Sequence, residues 1–78
     1  MNAERASTLI RTGMFVFDPE GDNVGTVKEV RAEDFLIDRP LARDVYVPFS
    51  AVRSVADGLV MLDIPSYKID SQRWPNPS

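Results

Sequence analysis

Apolar and polar positions alternate along this chain in short runs, and no helical period persists. Met14-Phe15-Val16-Phe17-Asp18 is an aromatic and β-branched run ended by Pro19, the signature of a strand. Val24 to Arg31, Phe35-Leu36-Ile37-Asp38, Asp44-Val45-Tyr46-Val47-Pro48 and Leu59 to Ile64 read the same way, which gives five strands. Pro19-Glu20-Gly21-Asp22-Asn23 is a hairpin loop in which Gly21 and Asn23 can take positive φ. Gly25, inside the second strand, leaves room for another backbone or a large ring to come close.

Between these strands, Ala32-Glu33-Asp34 and Asp57-Gly58 are turns, and Arg39-Pro40-Leu41-Ala42-Arg43 is a loop. Ser50 to Val55 is long enough for one helical turn, with Ser50 placed as its N-cap. A second short turn is expected near Tyr67-Lys68-Ile69. The domain organisation follows: residues 1–8 as a polar, flexible lead, 9–74 as one domain, and 75–78 as a flexible tail. Short strands at close spacing predict an all-β fold, a small barrel of five to six strands, because closure removes exposed edges.

The apolar pattern also predicts a surface. In the first strand Met14 and Val16 face one way and Phe15 and Phe17 the other; in the last, Leu59 and Met61 oppose Val60, Leu62 and Ile64. A small barrel has one interior, so strands apolar on both faces leave an outer patch that needs cover. Phe15, Phe17, Leu62, Ile64 and Trp74 are the candidate residues. Either the chain ends, Leu9-Ile10 and Tyr67-Ile69-Trp74, fold back over the patch, or a partner does.

Composition favours the partner. A chain of 78 residues has a thin core, and small scaffolds add a disulfide, a metal or a subunit. With no Cys and no His, disulfides and the usual zinc sites are excluded, so a homodimer is expected. The net charge of −3 disfavours a general affinity for nucleic acid. No apolar run is long enough to insert in a membrane, and the polar start lacks a signal peptide's apolar centre, so a cytoplasmic location is expected.

Candidate chemistry is sparse. Asp18, Glu20 and Asp22 with Asn23 could offer oxygens to Ca²⁺, but their spacing does not match the calcium loop, and a turn scaffold explains them better. Asp34 and Asp38 would lie roughly 13 Å apart along a strand, too far for acid–base work. Lys28 and Lys68 leave a Ser–Lys arrangement formally open, with no nucleophile elbow near either. No catalytic residue, cofactor site or metal site is expected. Arg39 and Arg43 form a weak candidate anion contact, locally balanced by Asp38 and Asp44.

The segments Gly13 to Asp18, Gly21 to Val30, Val45 to Val52 and Asp57 to Leu62 together resemble the PRC-barrel group, and more closely a bacterial family of unknown function with that barrel type. The matching positions are turn glycines, strand apolars and the proline after a strand. The resemblance implies a β-barrel adaptor without enzymatic activity. Two alternatives stand beside it. One is a ribosome- or RNA-associated factor, by analogy with the barrel of a ribosome maturation factor. The other is a small-ligand binder or enzyme using the barrel mouth.

Overall fold

The computed structural model describes residues 2–77. Helix α1 (Ala3–Leu9) precedes strands β1 (Phe15–Phe17), β2 (Asn23–Val30), β3 (Asp34–Asp38), β4 (Val45–Pro48), β5 (Val52–Ala56) and β6 (Leu59–Leu62). Three 3₁₀ turns lie at Phe49–Ala51, Ser66–Lys68 and Asp70–Gln72. The six strands make one curled sheet in the order β4-β3-β2-β1-β6-β5. This sheet is open, a half-barrel, where the pattern predicted closure. The two edges, β4 and β5, do not pair with each other.

The chain ends do the work that closure would have done. The 1–8 segment, expected as a flexible lead, is helical over Ala3–Leu9. Asn2 caps it by accepting from Arg5 N at 2.8 Å. Ala6 and Ile10 are buried in the same core as Val16, Val27, Phe35, Val60 and Leu62. At the other end Ile69 is buried in that core and Trp74 packs against it. A left-handed Arg73 (φ 58°) reverses the chain after the last turn. Pro75 then lies along β4, where its carbonyl accepts from Tyr46 N at 2.8 Å, and Asn76 Nδ2 donates to Asp44 O at 2.7 Å. The tail thereby covers part of an edge that would otherwise offer free backbone groups to another chain.

Four antiparallel pairings and one parallel pairing build the sheet. The parallel one joins β1 to β6 in register: Phe15 with Leu59, Val16 with Val60, Phe17 with Met61. Gly25 sits opposite Val16, and a Cβ there would come within 2.1 Å of the Asp38 carbonyl oxygen. The close backbone approach expected at this glycine is therefore made by β3.

The short helical turn expected before the last strand is present, but it is shorter than the 50–55 segment assigned to it. Only Phe49–Ala51 is a 3₁₀ turn, entered from Pro48 with no side-chain cap from Ser50, and Val52–Ala56 is a strand. Asp57 and Gly58 both take positive φ, 54° and 76°, between the paired residues Ala56 and Leu59. That is a two-residue hairpin turn whose backbone twist suits its flanking strands.

Candidate functional site

The curl of the sheet separates the two faces of β1 and β6 cleanly. Val16, Val60 and Leu62 are buried in the core, while Phe15 and Leu59 are 52% and 42% exposed. Phe17 and Met61 are half-buried on the same side as Phe15 and Leu59. Four apolar side chains thus form two adjacent rungs on the outer face, set side by side by the parallel register. Ile10, Ile69 and Trp74 from the chain ends pack on the core, and Phe15 and Leu59 keep the greatest exposure on this outer face.

This placement corrects part of the expected surface. Phe15 and Phe17 belong to the outer face, as the alternation implied. Leu62 does not; it is fully buried, because β6 turns Val60 and Leu62 inward and Leu59 and Met61 outward. Ile64 and Trp74 are partly buried and pack against the core. Leu59 and Met61 were missed because β6 is apolar at every position from 59 to 62. Asp63 carried the deciding signal. It shares the parity of Leu59 and Met61, and its carboxylate is exposed and paired with Arg53 at 2.9 Å.

Two of the three acidic residues at the β1–β2 turn are exposed, and the third is a structural element. Asp18 has no exposed surface. Its Oδ1 accepts from Glu20 N at 3.0 Å and Asp22 N at 2.8 Å, and its Oδ2 accepts from Ser66 N at 2.8 Å. Burial pushes its pKa upward, but these backbone donors outweigh it and hold the carboxyl below its ordinary range. Carboxylate oxygens of Asp18, Glu20 and Asp22 lie within 4.8 Å of one another. Both oxygens of Asp18 are committed to backbone N–H groups, which is the turn-scaffold arrangement.

Arg39 and Arg43 are not a pair of free forks. Arg39 is buried; its Nε donates to the Arg43 carbonyl and its Nη2 to Asp70 Oδ1 at 2.9 Å. It therefore ties the β3–β4 loop to the C-terminal turns, while Arg43 is exposed beside Asp44 and Asn76. Asp44 is itself engaged. Lys28 Nζ lies 3.1 Å from its Oδ2, a contact that lowers the Asp44 pKa and raises that of Lys28. Asp34 is gripped through both oxygens by Arg31, whose guanidinium stacks over the Tyr46 ring at 3.6 Å. Asp34 and Asp38 do not converge on a common site: Asp34 faces Arg31, and Asp38 lies opposite Thr26.

Residues 10–69, from the end of α1 through the first C-terminal 3₁₀ turn, match the model of a family described as "uncharacterized protein conserved in bacteria", DUF2171. The chain belongs to this family. A search of curated proteins finds no match. The DUF2171 segment contains all six strands and both outer rungs, and it excludes α1 and the strap formed by residues 73–77.

Proposed function

We propose that this DUF2171 domain is a non-enzymatic, PRC-barrel-like interaction module that works in the cytoplasm as a homodimer. The contact is the outer face formed by Phe15, Phe17, Leu59 and Met61. The observation that carries the reading is the in-register β1–β6 pairing, which gathers four apolar side chains on one outer face where Phe15 and Leu59 stay about half exposed. Apolar groups gathered on one face favour contact with a like face, at about 25 cal/mol per Å² removed from water. A second copy suits this surface because it is apolar at its centre and edged by small or polar residues: Thr26 opposite Phe15, Ala56 opposite Leu59, and Ser54 opposite Met61. A further chain in the assembly also gives a small, disulfide-free domain the additional stabilisation its size calls for.

Sedimentation velocity tests this directly. The wild-type chain is expected to run as a dimer at high micromolar concentration, and Phe15→Glu as a monomer. A wild-type monomer at that concentration would overturn the reading.

A further inference from the structure

A cavity of about 320 Å³ lies at the open end of the half-barrel, between the β3–β4 loop, the start of β2 and the C-terminal turns. Its walls are of two kinds. Pro40, Leu41 and Ala42 supply apolar surface, with the buried side chains of Val24 and Ile69 forming the floor; Arg39, Ser66 and Asp70 supply polar groups. The volume is at the lower end of the range for small-molecule sites, roughly 300–1,000 Å³.

Two features point to an occupant. The first is Arg39, a guanidinium more than nine-tenths buried at the cavity wall. Its Nε is used by the Arg43 carbonyl and its Nη2 by a single oxygen of Asp70, whereas Nη1 has no protein acceptor among the described residues. Every buried side-chain nitrogen and oxygen among those residues has a partner, so Nη1 is the part of the group that reaches accessible space. A fixed, desolvated guanidinium with an open edge is suited to a carboxylate. The second is Leu41, which is fully exposed at the rim and packs on nothing. It lies in the loop that Arg39 holds closed, where it can cover an apolar body seated on Val24 and Ile69.

We propose that this cavity binds a small monocarboxylate with a short aliphatic tail, its carboxylate on Arg39 Nη1 and its tail between Val24, Ile69 and Leu41. A single negative charge is specified by Asp70, whose carboxylate stands beside the same guanidinium and opposes a second one. The site lies away from the outer rungs of β1 and β6 and is independent of dimer formation.

The test is an NMR titration of the ¹⁵N-labelled full chain with sodium hexanoate, with 1-hexanol and inorganic phosphate as parallel arms. Hexanoate is expected to shift the amides of Val24, Ala42, Ser66 and Ile69 saturably, with half-saturation near or below about 1 mM. Hexanol and phosphate should each bind at least about tenfold more weakly, since each supplies half of the recognition. Two substitutions at exposed side chains, each checked for an unchanged amide fingerprint away from the cavity, vary the two halves of the site. Asp70→Asn, which removes the competing carboxylate, should tighten hexanoate binding about threefold or more. Leu41→Ser should weaken it about threefold. The Phe15→Glu monomer should bind hexanoate as the wild type does, which separates this site from the dimer contact. Absence of saturable shifts, equal binding of hexanol or phosphate, or an Asp70→Asn variant that binds no tighter would each overturn the proposal.

Discussion

Asp18 Oδ2 accepts a hydrogen bond from Ser66 N at 2.8 Å, joining the first hairpin to the C-terminal turns from within the core. The same carboxylate holds Glu20 N and Asp22 N through its other oxygen. Asp18→Asn preserves the shape but places an NH₂ opposite a backbone N–H on one side or the other. It is expected to cost about 2–3 kcal/mol, seen as a lowered urea midpoint with unchanged slope.

The charge on Asp18 also sets an acid limit. Its folded-state pKa lies below the ordinary 3.8, so its stabilising contribution is complete above that value and is lost as pH falls through the lower, folded one. Asp34 and Asp44, both lowered by cationic partners, act in the same direction. Stability should therefore fall as pH drops below about 3.8, and the Asp18→Asn variant should show a shallower acid dependence than the wild type. Equal acid dependence in the two proteins, measured by chemical denaturation across that range, would contradict the role given to Asp18.

Gly25→Ala should be among the most damaging single-methyl additions in the chain. The added carbon would meet a backbone oxygen at 2.1 Å and the Ile37 side chain at 2.8 Å, and β2 and β3 would have to part to admit it. A loss of about 2–4 kcal/mol is expected, read as a lowered thermal midpoint. Gly58→Ala meets no neighbour and strains only its own turn, so it should cost less.

Phe15 and Leu62, once grouped on one surface, should respond oppositely to substitution. Leu62→Ala opens a cavity in the core and should cost about 2–5 kcal/mol. Phe15→Glu should leave monomer stability within about 0.5 kcal/mol and change the sedimenting mass instead. A large loss of stability in Phe15→Glu at concentrations where the wild type is already monomeric would place Phe15 in the fold and not in the contact.

Removal of the residues after Gln72 should uncover β4. The Tyr46 amide, bonded to Pro75 O, should then exchange with deuterium far faster, while the Val16 and Val60 amides keep their protection. Unchanged protection at Tyr46 would mean that the strap does not hold that edge in solution.

Much of the fold was legible because strands and turns carry local chemistry. Five strands were marked by β-branched and aromatic runs, and Gly25 by a glycine where β propensity asks for a side chain. The sixth strand, Val52–Ala56, was hidden by Ser50 and Ala51, which read as a helix start; the Asp57-Gly58 pair after it was the stronger signal and demanded strands on both sides. Barrel closure was inferred from the cost of open edges. The chain meets that cost differently, with a helix at one end and a proline-bearing strap at the other. Helix α1 was missed because its polar surface looks like a solvated lead, and one small residue, Ala6, carries much of its burial. The outer face was half legible. Parity placed Phe15 and Phe17, but on β6 it is silent until Asp63. On β1 the same rule misleads about Asp18, a carboxylate that shares the core side with Val16. Long-range hydrogen bonds, such as the one from Ser66, leave no trace in local sequence.

The parallel pairing of β1 with β6 carries a consequence for how the protein is made. On a ribosome, β1 to β4 can zip together as neighbours in sequence, yet β1 gains its second partner only after Leu59–Leu62 has emerged. Until then Phe15-Val16-Phe17 is a short apolar strand with a bare flank, ready to pair with the wrong neighbour.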